Sequence, residues 1–562
     1  MRFDLVRFAA KMTQFSFGHA GHDHAALNCI TFNHGACDHA AIDRVTFDHE
    51  TSNCVGTDHE TSVRARLQSC PKGFPSSWAL ATAVFLILLT GCTVGPNYHR
   101  PNVATAPAWK EQPPWRTADP KDSIPKGNWW TTFADPELDQ YETQALKSNQ
   151  TIEAARYQLQ QARASARITQ SGLFPQLTAG ISAQRAQTSV GKPTASGIPL
   201  ASPTLSNNFI IPFNFTWEPD VFGGVRRSVE SANASYQASA AALENVRLVI
   251  TSEVAVDYFS LRELDAEIAV LNSSVEYQNK SLTLVQNRHA GGIASGLDVA
   301  QQETLLNSTR TQATLLRQQR AQFEHAIAAL VGVPASTFSV PVKSLALPPP
   351  AVPIGVPSDV LERRPDIAQS ERQMAAQNAQ IGVAKSAYYP GINIVASGGF
   401  ENTGLGSLIG SSPGFWALGA NVAETVFSGG KRRAQVDFAK SGYGASVANY
   451  RQTVLTAFQE VEDSLSGLSV LAEAAETQQQ AVTAAQRALQ ISNDRYTGGL
   501  VTYLDVINAQ QNLLDTQRLA TQILGQRLVT SVSLVKALGG GWDSSSLQAI
   551  RVKATVKQAL EP

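Results

Sequence analysis

The sequence predicts an α+β protein built from one unit used twice, with long helices joined to a few alternating strands. Three observations carry this. RHAGGIASGLDV returns as RYTGGLVTYLDV, so Arg288, Gly291, Gly292, Leu297, Asp298 and Val299 recur as Arg495, Gly498, Gly499, Leu504, Asp505 and Val506 at a constant offset of 207. LFPQLTAGIS at 173–182 answers YYPGINIVAS at 388–397 at an offset of 215, and DVFGGVRR at 220–227 answers TVFSGGKRR at 425–433. Between these motifs, heptad-spaced apolar stretches alternate with segments of period two. A period near 210 is far longer than any solenoid repeat and reads as a duplicated domain whose halves pack with pseudo-symmetry. The chain has 562 residues, and the matched order within it argues for one architecture of two halves rather than several unrelated domains.

Charged residues are only 16% of the chain and the net charge is −1, which speaks against nucleic-acid binding. The apolar run Trp78–Leu89 is too short to span a bilayer and follows Arg64, Arg66 and Lys72, the layout of a signal peptide, here 63–91. It ends in Leu89-Thr90-Gly91-Cys92, which resembles the bacterial lipoprotein cleavage site. Cys92 then becomes the lipidated first residue of the mature chain; a covalent lipid there is the one attached group expected, with no other cofactor. Cys29, Cys37, Cys54, Cys70 and seven of the ten histidines precede residue 71, and no cysteine follows Cys92. HAGHDH (19–24) and CDH (37–39) contain metal-ligand types, but their spacing fits no regular zinc pattern, and no metal site is assigned. Residues 1–62 read as an over-long start assignment. No Met lies between Met12 and Met374, so the start would use a non-Met codon such as that of Val63 or Leu67.

Seven prolines between 92 and 128 forbid regular helix and suit an extended tether over 92–133. From Pro136 to Ser171 the chain is rich in Ala, Gln and Arg, a helix ending near Phe174-Pro175. After Gly223-Gly224 it runs without Pro or Gly to Arg288, with Val254, Tyr258, Leu261, Ile268, Leu271, Val275 and Leu282 in heptad spacing. Lys431 to Tyr496 repeats the pattern through Tyr450, Val454, Val461, Leu465 and Leu468. At 1.5 Å per residue each helix is roughly 95–100 Å long. Pro136–Ser171 and Leu297–Val331 together approach that length, so two short helices can stack end to end beside one long one. The first repeat then covers 134–340, a mid-height linker 341–357, the second repeat 358–541 and a C-terminal tail 542–562.

Strand-like segments lie at about 176–190, 207–219, 390–402 and 415–427. In NFIIPFNFTWE, Phe209, Ile211, Phe213, Phe215 and Trp217 alternate with a mostly polar set; Leu177/Ala179/Ile181, Ile392/Ile394/Ala396 and Trp416/Leu418/Ala420/Val422 follow the same rule. Period-two alternation over about ten residues is what a membrane β-strand requires. Four strands cannot close a barrel, which needs about eight, and open edges are not tolerated in lipid. The chain must therefore oligomerise, and a membrane barrel continued by a helical tube is a conduit.

CTVGPNYHRP (92–101), WWTTFADPELDQ (129–140), VPSDVLERRPDIAQSE (356–371), the FGG and FSGG strand exits and the two GG(I/L)xxxLDV turns occur in an order that resembles the outer membrane efflux protein family, the TolC and OprM type, in its lipoprotein branch labelled NodT. The resemblance spans Cys92 to about Gly541. It implies a homotrimer with a 12-stranded transmembrane β-barrel continued by a 12-helix periplasmic α-barrel, anchored in outer membrane lipid. It also implies a periplasmic adaptor protein and an inner-membrane pump, commonly of the resistance-nodulation-division type, with small molecules such as drugs and toxic compounds as cargo. A type I protein-secretion conduit uses the same architecture and is the alternative.

The duplicated turns then acquire a role as the adaptor-docking, periplasmic end, through Gly291, Gly292, Leu297, Gly498, Gly499 and Leu504. Asp298 and Asp505 stand where a carboxylate favours the helix dipole. Repeated threefold, Asp505 would make an acidic ring, with Arg495 and Tyr496 tethering neighbouring hairpins closed; Asn508 stands where some relatives place a second Asp, so two acidic rings do not follow. Arg226, Arg227, Lys431, Arg432 and Arg433 sit at helix N-termini, where the dipole disfavours cations and phospholipid headgroups would offset that. Phe174, Phe222, Tyr388, Tyr389 and Phe427 read as an aromatic girdle at the same level. The mature chain offers only His99, His289 and His325 and no cysteine beyond Cys92, so no enzyme activity is expected.

Overall fold

The computed structural model describes residues 93–102, 108–110, 127–190, 202–345, 349–350, 352, 360, 362–409, 412–542 and 544–551. Residues 1–62, the signal segment, Cys92 and parts of the expected tether and linker lie outside the described residues. The three longer helices of the first half recur in the second. The first has α1 (Pro136–Ser148), α2 (Gln150–Ser171), α3 (Gly224–Ala290) and α4 (Gly296–Leu330); the second has α5 (Pro365–Ser386), α6 (Lys431–Thr497) and α7 (Tyr503–Ala537). α2 and α5 have 22 residues, α3 and α6 have 67, and α4 and α7 have 35. Each 67-residue helix is about 100 Å long.

The helix expected over 136–171 is in fact two. Asn149 adopts φ −67°, ψ 125° and interrupts it; its Oδ1 accepts from the Thr151 and Ile152 N–H groups at 2.9 and 3.1 Å, capping α2. Its Nδ2 donates to the Leu330 carbonyl at 2.8 Å, the last residue of α4. One side chain therefore satisfies the start of α2 and the end of α4, and the two helices meet end to end beside α3. The junction is tight: Gly332, at φ +75°, passes so close to Ser148 that a β-carbon would lie 2.5 Å from its carbonyl oxygen.

The strands β1 (Gln176–Ala179), β2 (Ser182–Thr188), β3 (Thr204–Trp217), β4 (Gly391–Asn402) and β5 (Gly414–Ala423) form one antiparallel sheet, with β1 and β2 both on β3, then β4 and β5. The expected 176–190 strand divides at Gly180 because it faces Pro212, which has no N–H to donate; the Gly180 N–H still reaches the Pro212 carbonyl at 3.0 Å. β5 ends at Ala423, short of the expected 427, and β3 begins at Thr204. The register puts the apolar sets on one face: Phe213 stands between Ala179 and Gly398, the latter opposite Trp416, and Phe215 between Leu177 and Ala396, the latter opposite Leu418. That face is uncovered, with Trp416 83% and Leu418 72% exposed. A sheet with no buried residue and its large apolar side chains outward suits lipid, not a soluble core.

The core lies mid-column, where Trp129, Phe133, Tyr258, Phe259, Ile367 and Tyr450 meet. Arg262, 2% exposed, holds the linker exit there by donating to the Pro341 carbonyl and pairing with Asp265 and Glu137. The tether is not free over its described part. Arg227 donates to the Val94 and Gly95 carbonyls and to Asn97 Oδ1, Asn378 Nδ2 to the Pro96 carbonyl, Tyr98 to Glu371, and Arg100 to the Tyr450 hydroxyl. The strap thus joins α3, α5 and α6. Its upper end is fixed at the sheet, where Val94 N–H bonds the Phe222 carbonyl and Thr93 packs on Gly223.

Asn149→Ala removes two caps and leaves the Leu330 carbonyl unbonded. Denaturant unfolding is expected to show a loss of about 1–2 kcal/mol, whereas exposed Gln150→Ala stays near wild type.

Candidate functional site

The two turns are built alike. In the first, Gly291 N–H bonds the Asn287 carbonyl and Ile293 N–H reaches back to Arg288 at 2.8 Å; in the second, Gly498 bonds Asp494 and Leu500 reaches Arg495 at 2.8 Å. Only the second glycine of each pair requires its residue type: Gly292 and Gly499 have φ +78° and +72°, while Gly291 and Gly498 sit at −82° and −78°, open to any residue. Asp298 and Asp505 are third residues of their helices and close capping boxes. Asp298 Oδ2 accepts the Ser295 N–H at 3.1 Å; Asp505 Oδ2 accepts both the Thr502 N–H at 3.1 Å and its hydroxyl at 2.8 Å. The other oxygen of exposed Asp505 is left to solvent. Asn508 is exposed one turn on, and Leu297 and Leu504 project at 65% and 49% exposure.

The hairpins of the two halves are joined within the chain, though not as the sequence led us to expect. Tyr496 is buried, 4.9 Å from the Tyr503 ring, and the guanidinium above it at 4.7 Å is that of Arg288. Arg495 is exposed and without a hydrogen bond or ion pair among the described residues. Arg288 is its duplicate from the first half, so the tether links α3 to α6 through Arg288 and Tyr496. Burial pushes the Tyr496 phenol up from its ordinary value, and the Arg288 charge opposes that. Two further bonds cross the seam, Tyr503 hydroxyl to Gln302 at 2.8 Å and Asn493 to the Tyr277 hydroxyl at 2.6 Å. Sequence reading missed all three, because a cross-half pair leaves no mark in either repeat alone.

At the other end, the five cations divide by environment. Arg227 is 4% exposed and holds the strap, so it is not a headgroup ligand. Arg226 is paired with Asp220, whose carboxylate also caps α3 through the Val225 and Arg226 N–H groups and so supplies the anion that the dipole favours. Arg432 pairs with Glu424 and lies over the Tyr388 ring. Lys431 and Arg433 alone are exposed without a partner among the described residues. Of the aromatics, Phe222 stacks on Tyr389 at 4.8 Å, while Phe427 is 87% exposed.

The outer membrane efflux protein family model matches residues 143–333 and 356–540. The chain belongs to this family. It is 31% identical over 479 residues to the probable efflux pump outer membrane protein TtgC of Pseudomonas putida, covering 84% of this chain and 97% of that protein. It is 34% identical over 464 residues to the pyoverdine export outer membrane protein OpmQ of Pseudomonas aeruginosa, covering 82% and 96%. Among solved structures, the outer-membrane channel OprN matches with a TM-score of 0.74 at 28% identity, covering 80% of this chain and 100% of that one. This is an outer-membrane efflux channel with the duplicated α+β architecture.

The channel's two halves also meet through charge along α3 and α7. Glu267 pairs with Arg518 at 2.6 Å, and one turn earlier Glu263 lies against Gly525, where a β-carbon would come within 2.2 Å of Glu263 Oε2. Burial pushes the Glu263 carboxyl up to about 7, and the nearby Glu267 charge adds to the rise. A carboxyl raised in the folded state holds its proton where the unfolded chain has lost it. Its contribution is full below the ordinary carboxylate range and declines as pH rises toward 7. Glu263→Gln is therefore expected to flatten the fall of thermal stability between pH 4.5 and 7, measured against wild type; a slope unchanged by the substitution assigns that fall to other groups.

Proposed function

We propose that three copies of this chain close a 12-stranded barrel in the outer membrane and a 12-helix tube beneath it, anchored by a lipid on Cys92. This trimer serves as the exit channel of a tripartite efflux system. A periplasmic adaptor and an inner-membrane pump of the resistance-nodulation-division type deliver small molecules to it. The observation that carries the reading is the open sheet: β1 and β2 at one edge and β5 at the other have no strand beyond them among the described residues, and their outward face is apolar. Lipid offers no partner for such edges, so they pair with one another across copies.

The helices support the same ring. α3 packs along α5 and α7 of the other half, yet α6, its duplicate, has no such packing along α2 or α4 of its own chain. α6 instead exposes Phe438 at 82% and Val470 at 62%, a face that the first half of a neighbouring copy would cover. The strap places Thr93 at the sheet-to-helix junction, the level that a lipid on the preceding residue needs. Lys431 and Arg433 are the cations left for headgroups. The two turns, farthest along α3 and α6 from the sheet, form the adaptor-docking and gated end, with Asp505 near the axis.

Two measurements test this. Cys92→Ser is expected to abolish metabolic palmitate labelling, and unlabelled wild type would contradict the anchor. Replacing Asp505 and Arg495 together by Ala is expected to raise single-channel conductance in planar bilayers; unchanged conductance would place the aperture elsewhere.

A further inference from the structure

α6 repeats α3 position by position: both have 67 residues and start after a glycine in the left-handed region, so an offset of 207 (431 − 224) joins them. α2 and α5, of 22 residues each, are joined by an offset of 215 (365 − 150). The equivalent stripes lie in opposite environments. Arg227, Ser231 and Ala234 of α3 are buried, whereas their counterparts Ala434, Phe438 and Ser441 on α6 are all exposed. Ala376, Ala379 and Gly382 of α5 are likewise buried, and their counterparts Gln161, Ala164 and Arg167 on α2 are exposed. Inside the chain the two buried stripes meet antiparallel. Arg227 crosses Gly382, where a β-carbon would lie 2.8 Å from Arg227 Cγ. Gln380 Nε2 donates to Ser231 Oγ at 2.8 Å, and Arg372 Nη1 reaches Gln237 Oε1 at 3.4 Å.

We propose that the exposed stripe of α6 docks α2 of a second copy of this chain in the register of the internal seam: Ala434 against Arg167, Phe438 against Ser165, Gly444 against Tyr157. This rests on the ring of copies described above and fixes its contacts. Size carries the assignment, because close packing lets one geometry serve two sequences only when the summed volume is kept. Arg227 on Gly382 becomes Ala434 against Arg167, and Ser231 with Gln380 becomes Phe438 against Ser165, so the larger side chain changes sides in both pairs. Tyr157 is 62% exposed, and its assigned partner Gly444 leaves room for it, since a β-carbon there would meet nothing within 4 Å. Lower down the seam changes chemistry. Glu267, which pairs with Arg518 and is reached by Gln522 at 3.4 Å, answers to Ala474, and Arg518 and Gln522 answer to Thr311 and Leu315 of α4. Glu263 answers to Val470, and Leu315 and Val470 are 57% and 62% exposed. The contact is charged within the chain and apolar between copies. Neither seam can therefore stand in for the other, and the two halves alternate around the ring.

The test is thiol cross-linking of the purified full-length protein in lipid nanodiscs with a short bifunctional methanethiosulfonate, wild type setting the background from its native cysteines. Ser165→Cys combined with Phe438→Cys, and Tyr157→Cys combined with Gly444→Cys, are expected to convert the single-chain band on non-reducing gels into bands of two and three chains. The exchanged combinations, Ser165→Cys with Gly444→Cys and Tyr157→Cys with Phe438→Cys, set the thiols about 10 Å out of register along the helices. They are expected to link at least about tenfold less, because bridged thiols tolerate only a narrow range of separation. In-register pairs that link no better than the exchanged ones overturn the seam. Absence of all links while native mass spectrometry still finds three chains leaves the stripe to lipid or to another protein, and overturns the seam with the ring intact. Single chains alone in that measurement overturn the ring itself.

Discussion

The pairing of backbone groups at a sheet edge in lipid is the constraint on which the structure depends. In water an open edge is satisfied by solvent; in hydrocarbon each unpaired N–H or C=O costs several kcal/mol. One chain brings four strand positions, with β1 and β2 sharing one of them beside β3. That is too few to close, yet the apolar face running from Leu177 through Phe213 to Trp416 is covered by nothing among the described residues. The sheet therefore carries a demand for further copies, and the helices below carry a matching one.

The duplication explains how a single contact type can meet both demands. β3, from the first half, pairs with β4, from the second, inside the chain; in the proposed trimer the equivalent pairing from β5 would run to β1 and β2 of the next copy. α3 similarly packs on the short helices of the second half, and α6 lacks the reciprocal set. A head-to-tail contact that reuses an internal one closes into a ring when the rotation fits. Matched helix lengths of 22, 67 and 35 residues in both halves would keep the two kinds of seam of the proposed trimer equivalent along the column.

Much of this was legible in the sequence because it rests on periodicity and repetition. The long helices, the alternation in β3 and the paired turns each leave a local pattern, and their bounds fall within a few residues of expectation. What escaped depends on contacts between distant segments. Asn149 sits in a helical composition, and only its bond to Leu330 shows why the helix must stop there. Arg227 resembles Lys431, Arg432 and Arg433 in position, but the strap passing over it makes it a buried anchor. Arg288 and Arg495 are indistinguishable in the repeated motif; the partner of Tyr496 was decided by how the halves pack. The break at Gly180 was latent in Pro212, thirty-two residues away in sequence and opposite in register.

Function follows from the same division. The family and the channel architecture rest on the whole pattern, whereas the proposed gating rests on a few groups at the far end of α3 and α6. There the capping boxes fix the aspartates, and the Arg288–Tyr496, Tyr503–Gln302 and Asn493–Tyr277 contacts hold one half against the other. An opening that moves one hairpin relative to its neighbour must break these.

The claim that the chain is completed only by further copies of itself is tested most directly by native mass spectrometry of the purified full-length protein released from lipid nanodiscs. The account predicts a particle of three chains that persists on dilution. A stably folded, membrane-inserted single chain would contradict it.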